Sequence, residues 1–425
     1  MERYTEEKLM KMSVHTLRVI LRSEFNGVPG VCNKSELIEQ ILSIQSGGDA
    51  PTRSTKGRKP LGEFITPINT ELVFSDVSED VEESTFIKGV FELNEEGYGL
   101  VRRLENGTNK DYFVSNSFVK RYALRTGYVV EGSVDNTSGF GMPRIKAITF
   151  VNGRSAEDVK EVSRDFSRSK YPTEKLELCS SEDVIIKALN AFCPIGKGQR
   201  CLVEDDGGKF GTAFAKSVTA SLSQDSSVKV ISLFVGARPE DLDEDYGENV
   251  TVISTNLADS SEDLLRIISL TVERAKVLTQ LGEDVVLIVD GLTAIRGVYE
   301  DYLLSEKKSS GFIKSGVTPA KYVYDLFSVG GNFGTGKSLT VIATVNMGRE
   351  ERLLAELEGV ATSNIKLKAD DTIKRRGYVI DLASSYTDKD ELLLTNEQIE
   401  LADGKRKELN KNAKYYKEIY LELLK

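Results

Sequence analysis

The sequence has few of the residues on which several classes of enzyme and metal site depend. It contains no tryptophan, a single histidine (His15) and four cysteines, which are Cys32, Cys179, Cys193 and Cys201. No two cysteines form a Cys-x-x-Cys pair, so neither a zinc site nor a disulfide framework is predicted. Because His15 falls in a short N-terminal helical segment, a Ser-His-Asp or Cys-His mechanism is not expected either.

Long apolar segments are also missing. No run of about 18 apolar residues occurs, and the N-terminus, MERYTEEKLMK, is too polar for a secretory signal. We therefore expect a cytoplasmic protein without a membrane partner. The formal net charge of −10 does not indicate nucleic-acid binding, although a net charge averages over domains and leaves room for a local basic patch.

One stretch, residues 194–222, has the layout of a phosphate-binding site. A short apolar strand at 201–203 leads into a glycine-containing loop and then a helix-compatible segment at 212–217. Backbone N–H groups and the helix dipole hold phosphate in such a layout. Residues 285–290 form a second apolar strand that ends in a carboxylate, as a magnesium-holding strand would. Three carboxylates placed in the loop oppose an anion there: Glu204, Asp205 and Asp206.

The 425 residues are enough for two or three domains, and composition changes divide them into four segments. Residues 1–47 predict a small helical unit, whose second helix is capped by Asn33 or Ser35 and has an apolar face of leucines and isoleucines at 37–42. Residues 48–84 combine a basic cluster with an acidic run and predict a linker. A packing role and a role beside nucleic acid both remain open for the helical unit.

Residues 85–150 predict an OB-type barrel of five short strands, at 86–93, 98–102, 111–114, 128–134 and 144–150. Tyr98 stands between two glycines, and Arg102 projects to the same side of its strand. Phe113 is a second aromatic residue, two positions after Asp111. An exposed aromatic ring beside an arginine suits the stacking of unpaired bases. The alternative is that Tyr98 and Phe113 fill the barrel.

Residues 151–425 predict an α/β domain with a mainly parallel sheet. Nearly continuous apolar runs at 201–203, 229–235, 250–253, 285–289 and 338–345 suit strands that are covered on both faces. Residues 261–278 predict a helix. A second glycine-rich stretch, residues 331–338, matches G-x-x-x-x-G-K-[ST] by letter and includes Lys337. A helix at 322–329 before it and a strand after it are the reverse of what a phosphate loop requires.

These pieces, in this order, resemble the family of the bacterial transcription termination factor Rho over nearly the whole chain. The resemblance rests on the order and spacing of several short matches: residues 97–102, 124–127, 194–200, 238–240, Asp290 with Thr293, 338–344, and 379–381 leading to 390–393. It implies an N-terminal helical subdomain, a cold-shock-like RNA-binding barrel and a RecA-like ATPase that forms hexameric rings. For RNA contacts it implies Tyr98, Leu100, Arg102, Asp111 and Phe113 in the barrel, and Lys314 and Arg349 in the central pore. Leu100 replaces an aromatic residue of the family.

The resemblance implies ATP and Mg²⁺ as cofactors, but the matching positions have changed. The phosphate-binding lysine aligns with Gly211, the general base with Ala237, the arginine finger with Asp371 and the adenine-stacking phenylalanine with Leu357. What remains of the nucleotide site is Lys209, Thr212, Arg238 and Asp290, of which Thr212 and Asp290 are the candidate Mg²⁺ ligands. Loss of an arginine finger alone lowers phosphoryl-transfer rates by roughly 10³–10⁵.

Three hypotheses follow. The first is a Rho-like factor that binds single-stranded RNA, and acts with RNA polymerase or a conventional Rho, without a working motor. The second is an ATP-dependent terminator and RNA–DNA helicase in which Lys209 or Lys337 replaces the lost lysine. The third is a structural subunit of a Rho-like ring. The retained signature at residues 97–102 counts against the third.

Overall fold

The structure is a computed structural model of the chain. It describes residues 9–10, 17, 34–45, 86–102, 111–135, 142–158, 169–179, 183–206, 210–238, 240, 242, 245–310, 316–333, 338–346, 348, 351–370, 377–411 and 415–423. The chain forms two compact units, residues 1–66 and residues 67–425. Among the described residues, no helix has both the length and the apolar character needed to cross a membrane.

The first unit contains helix α1 (Lys34–Gln45). Its buried face consists of Leu37, Ile38 and Ile41, which pack with Leu9 and Leu17 into one small core. This confirms the predicted second helix and its apolar face. Ser35 lies inside the helix and does not cap it, whereas Asn33 falls outside the described residues.

The second unit begins with the predicted barrel. Its strands are β1 (Phe86–Leu93), β2 (Gly99–Arg102), β3 (Tyr112–Val114), β4 (Val129–Asp135), β5 (Arg144–Val151) and β6 (Arg154–Ser155). The order is β3-β2-β1-β4-β5-β6, and a parallel bridge between Phe113 and Arg144 joins β3 to β5. The alternating burial of β4 reflects one face turned to the barrel core. A short helix that the sequence did not predict, α2 (Asn116–Arg121), follows β3.

A ten-stranded sheet forms the rest of this unit. Its strands are β7 (Ser169–Lys170), β8 (Arg200–Asp205), β9 (Val228–Val235), β10 (Val250–Thr255), β11 (Asp284–Asp290), β12 (Gly331–Phe333), β13 (Ser338–Asn346), β14 (Ser363–Asp370), β15 (Gly377–Ile380) and β16 (Tyr386–Thr387). The main path of the sheet is β10-β9-β11-β13-β8-β14-β15, in which neighbouring strands are parallel except β14 and β15. The predicted mainly parallel sheet is confirmed.

Helices cover both faces of this sheet, and each face has its own apolar core. They are α3 (Val184–Phe192), α4 (Phe210–Leu222), α5 (Ser261–Gln280), α6 (Leu292–Ser310), α7 (Pro319–Phe327), α8 (Glu351–Glu358), α9 (Asn396–Lys411) and α10 (Tyr415–Leu423). Burial on both sides explains why the strands are apolar along nearly their whole length, since neither face of a covered sheet meets water.

The barrel packs directly on α5 through a glycine. Gly127 has φ +90°, and a Cβ on it would lie 2.6 Å from the backbone oxygen of Glu273 in α5. The neighbouring Arg274 donates hydrogen bonds to the Gly127 carbonyl oxygen at 3.2 Å and to Asn152 Oδ1 at 3.1 Å. Only a residue without a side chain permits this approach of backbone to backbone.

Candidate nucleotide cleft and RNA-binding face

A cleft of about 1100 Å³ opens at the carboxyl ends of the parallel strands, beside the first turn of α4. Ligands bind at this edge of open α/β sheets because the strand ends and helix N-termini converge there. The cleft contains both carboxylates and cations. Its polar lining includes Asp205, Thr212, Lys216, Arg238, Asp290, Thr293, Thr344 and Asn346.

Asp290 ends β11 and is held by two hydroxyl groups. Thr212 Oγ1 donates to Asp290 Oδ2 at 2.6 Å, and Thr344 Oγ1 donates to Asp290 Oδ1 at 2.6 Å. Burial raises the pKa of the Asp290 carboxyl, and the negative charge of nearby Asp205 raises this pKa further. The two candidate Mg²⁺ ligands, Thr212 and Asp290, are thus in direct contact, and their oxygen atoms are the type that Mg²⁺ prefers.

The three carboxylates expected in the loop are placed differently. Glu204 and Asp205 are the last residues of β8, and only Asp206 lies beyond the strand, where it is exposed. Successive residues of a strand point to opposite faces, so the adjacent Glu204 and Asp205 lie at different sites. The prediction of a triply acidic loop is wrong for two of its three members.

Asp205 points toward the first turn of α4. Its side chain is buried, with 6% of the residue exposed, and its Oδ2 accepts a hydrogen bond from the Gly211 backbone N–H at 3.1 Å. The first N–H groups of a helix have no partner within the helix and are the groups that bind phosphate. In this chain one of them is taken by a carboxylate of the preceding strand.

The remaining positions around α4 also fit a nucleotide poorly. A Cβ on Gly211 would lie 3.2 Å from Thr344 Cβ, so the site where the family has a lysine leaves little room for a side chain. Phe210 stacks on Tyr378 with ring centroids 5.4 Å apart. The cleft is thus suited to Mg²⁺ at Thr212 and Asp290 but opposes the phosphate that the metal would accompany.

Only some of the other positions expected at the nucleotide site line the cleft. Arg238 and Ala237 line the cleft, as the resemblance implied. Leu357 does not: it belongs to α8 and its side chain is fully buried in the apolar core, so it offers no surface to an adenine ring. Lys209 and Asp371 lie outside the described residues.

The described residues of the glycine-rich stretch, 331–333 and Ser338, lie at the other end of the sheet from the cleft. Helix α7 precedes it and strand β13 follows it, which confirms the helix-then-strand order read from the sequence. Ser338 begins β13 and Asn346, which lines the cleft, ends it. Nine residues of strand span about 26 Å. Lys337 itself lies outside the described residues.

On the barrel, the aromatic residues singled out from the sequence come together. The rings of Tyr98 and Phe113 lie 5.3 Å apart between centroids, and Asn94 Nδ2 donates to the Tyr98 hydroxyl at 2.9 Å. Both rings are partly exposed. Leu100, which lies between Tyr98 and Arg102 in the sequence, is buried at 7% exposure.

Arg102 was expected to lie on the same side of its strand as an exposed aromatic ring and to contact RNA, but its side chain is buried. Only 5% of the residue is exposed, because two carboxylates hold its guanidinium against the barrel. Arg102 Nε donates to Glu92 Oε2 at 2.7 Å, and Nη1 lies 3.1 Å from Asp111 Oδ2. Burial raises the pKa of the Asp111 carboxyl by more than the Arg102 charge lowers it.

The sequence analysis missed two further groups at this face. Arg266 of α5 lies with its Nε 3.6 Å from Glu92 Oε1, which connects the Arg102 cluster to the α/β domain. A groove of about 270 Å³ beside Phe113 is lined by Phe118, Arg144 and Lys146 among others. The alternation of Arg144 and Lys146 along β5 could have predicted the basic side of this groove. The contact between Glu92 and Arg266 could not be predicted, because no local sequence pattern links residues so far apart. Lys314 and Arg349 fall outside the described residues.

Comparisons with known proteins agree with this architecture. Residues 87–157, which contain the barrel, match the model of the family described as Rho termination factor, RNA-binding domain. Transcription termination factor Rho of Thermotoga maritima is 28% identical over 349 residues, 77% of this chain and 80% of its own length. Rho of Borreliella burgdorferi is 29% identical over 79% of this chain and 67% of its own length. Rho of Bacillus subtilis is 27% identical over 78% of this chain and 80% of its own length. The chain is therefore similar to transcription termination factor Rho over about three quarters of its length, and its barrel matches the Rho RNA-binding domain.

Proposed function

We propose that this chain is a Rho-like factor of transcription termination or its regulation, which binds single-stranded RNA through the barrel and does not drive an ATP-powered motor. The observation that carries this proposal is the Tyr98–Phe113 ring pair beside the fixed Arg102–Asp111 pair, inside a domain that matches the Rho RNA-binding model. Its protein partners would be RNA polymerase or a conventional Rho, and the chain would assemble with itself, by resemblance as a hexameric ring in the cytoplasm.

The barrel face offers two kinds of contact to an unpaired base. Partly exposed rings stack on any base, with a contribution of roughly 1–3 kcal/mol per base. Asp111 is partly exposed and supplies an acceptor, which the buried Arg102 holds in place. A cytosine edge presents an amino donor, so Asp111 complements the pyrimidine-rich RNA that the resemblance implies.

The proposal of an inactive motor rests on the cleft. Asp205 accepts the Gly211 N–H, the space above Gly211 is closed by Thr344, and the matched position of the general base is Ala237. The pore residues suggested by resemblance, Lys314 and Arg349, remain candidates for RNA contacts.

One observation favours the alternative, an active ATP-dependent terminator and helicase with a rebuilt phosphate loop. Thr212 and Asp290, the two groups suited to Mg²⁺, remain in contact at 2.6 Å. The alternative needs a lysine near them. Lys337 comes directly before Ser338, at the end of β13 that is remote from the cleft, so Lys209 is the better substitute. The third alternative, a purely structural ring subunit, does not account for the paired groups on the barrel.

The test measures RNA binding and ATP turnover with the full chain. By fluorescence anisotropy with a labelled oligo(C), we expect Tyr98→Ala to weaken binding roughly tenfold, the loss of one stacked base. Tyr171→Ala, which removes an exposed tyrosine outside the barrel, serves as the control and should leave affinity unchanged. Equal affinities of wild type and Tyr98→Ala would contradict the RNA-binding proposal.

The same preparations are assayed for ATP hydrolysis with and without poly(C). We expect no RNA-stimulated turnover above the level of the Asp290→Ala variant. Turnover that poly(C) stimulates and that Asp290→Ala abolishes would establish the active terminator instead.

A further inference from the structure

We propose that Asp205 is the residue that closes the cleft to nucleotide phosphates, because its carboxylate occupies the phosphate-binding first turn of α4. The inference rests on the proposed function, which it deepens: it assigns the block in nucleotide binding to one side chain. The Asp205 carboxylate is therefore the anion at this helix terminus, where a bound phosphate would otherwise lie.

The hydrogen bond to Gly211 is the first support. Helix α4 begins at Phe210, so the Gly211 N–H is among the first-turn donors that lack a partner within the helix. A negative charge at this position is favoured by the helix dipole, whether it belongs to a phosphate or to an aspartate. Asp205 is part of the chain, at the end of β8, so it loses no translational or rotational entropy when it contacts the Gly211 N–H. A free anion must lose this entropy when it binds, so contact with Asp205 is favoured.

Charge is the second support. Asp205 and Asp290 both line the cleft, so it already contains two carboxylates. A phosphate placed at the first turn of α4 would face both. Repulsion between like charges at a few ångströms is much stronger in a partly buried cleft than in water.

The lining of the cleft also contains groups that favour an anion. Lys216 and Arg238 are in its lining and supply positive charge. Thr212 sits one residue after Gly211 and keeps the hydroxyl that accompanies a bound metal in the family. The group that contradicts phosphate binding directly, through a hydrogen bond to the helix terminus, is the Asp205 carboxylate.

Asp206 provides a matched control. It is the next residue, carries the same charge and is exposed beyond the end of β8. Any gain in phosphate affinity that arises merely from removing one negative charge from this segment would be seen equally at Asp206. A gain specific to Asp205 identifies the contact with α4.

The experiment titrates the full-length wild type and the variants Asp205→Gly, Asp205→Asn and Asp206→Asn with ADP–Mg²⁺ and with adenosine by isothermal calorimetry. We expect Asp205→Gly to bind ADP at least about tenfold more tightly than the wild type, since it frees the donor and removes the charge. Asp205→Asn should gain less, because an amide oxygen can still accept the N–H. Asp206→Asn should match the wild type, and no variant should gain affinity for adenosine, which has no phosphate.

Several results would overturn the inference: folded Asp205 variants that bind ADP no better than the wild type, an equal gain in Asp206→Asn, or an equal gain for adenosine. Thermal unfolding checks that each variant is folded, and if Asp205→Gly is not, the isosteric Asp205→Asn decides by the same criteria. Failure here is separable from failure of the proposed function, which is decided by the oligo(C) affinity of Tyr98→Ala and by turnover of the wild type.

Discussion

At the scale of single residues, Glu204 shows how a charge can be buried on the face of β8 opposite to Asp205. The residue is fully buried, yet Lys366 Nζ lies 3.1 Å from its Oε2 and Asn364 donates to its other oxygen. Burial raises the pKa of the Glu204 carboxyl despite these partners. The ionised form therefore destabilises the folded chain at neutral pH, and Lys366 limits this effect.

Removing Lys366 should expose the full effect of the buried charge. We expect Lys366→Met to lower the free energy of unfolding by roughly 3 kcal/mol, since it leaves Glu204 without its cation. The double variant with Glu204→Gln should recover most of this loss, as measured by urea denaturation. Lys368→Met is the control: Lys368 lies two residues along the same strand in a half-exposed pair with Asp381, so less than about 1 kcal/mol is expected.

The pH dependence provides a check with a definite sign. Because the folded-state pKa of Glu204 is raised, the folded chain binds more protons than the unfolded chain between the unfolded and the folded pKa. Stability of Lys366→Met should therefore increase as the pH falls from 7 toward 5. This account would be contradicted if the double variant did not recover the free energy of unfolding lost in Lys366→Met. It would also be contradicted if that loss became larger at lower pH.

At the scale of elements, the contact between the β3–β4 connection of the barrel and α5 depends on a glycine for two separate reasons. Gly127 has a positive φ, and it also meets the backbone of Glu273 at a distance that excludes a Cβ. Gly153 in the barrel has a comparable φ of +73°, but a Cβ on it would meet nothing within 4 Å. Alanine substitutions at the two glycines can therefore be compared to separate the effect of backbone strain from the effect of the contact with α5.

We expect Gly153→Ala to lower the free energy of unfolding by about 1 kcal/mol, the effect of a positive φ on an alanine. Gly127→Ala should lower it by about 1–3 kcal/mol more, since the added methyl group must displace the barrel from α5. Thermal or urea unfolding of both variants gives the comparison. Equal losses in the two variants would show that the contact with α5 contributes nothing beyond the strain.

Elements were the part of the structure that the sequence predicted best. Alternation located the five barrel strands, and apolar runs located five parallel strands of the sheet, because both signals are local. The burial of Arg102 and the bond from Gly211 to Asp205 were not predicted. Each depends on where a second segment folds: Glu92 and Asp111 surround Arg102 only once β1, β2 and β3 pair, and the reach of Asp205 depends on where α4 begins.

At the scale of the whole molecule, an RNA-binding chain with a net charge of −10 cannot rely on long-range attraction to phosphates. The groups that carry the proposed RNA contact are two partly exposed rings, with centroids 5.3 Å apart, and Asp111, whose charge is offset by Arg102. In the described part of the groove beside Phe113, the exposed cations are Arg144 and Lys146. Stacking and hydrogen bonding should therefore supply most of the affinity.

This balance predicts a weak dependence of RNA affinity on salt. Each phosphate contact to a single strand contributes about 0.7 to the slope of log K against log salt concentration, so we expect a slope of about −2 for oligo(C). Anisotropy titrations across a range of KCl concentrations measure it, and Lys146→Gln should reduce its magnitude by less than one. A slope near that of strongly basic proteins, about −10, would show that phosphate contacts dominate instead.

The close approach of Gly211 to Thr344 limits which residues position 211 can hold. A lysine at position 211 would place its Cβ 3.2 Å from Thr344 Cβ and its stem beside the carboxylate of Asp290. Thr344 cannot simply shrink to make room, because its hydroxyl holds Asp290 and also accepts the Gly291 N–H. A side chain at position 211 therefore requires Thr344 to move, and any movement of Thr344 disturbs the hydrogen bonds that fix Asp290 and the Gly291 N–H at the floor of the cleft.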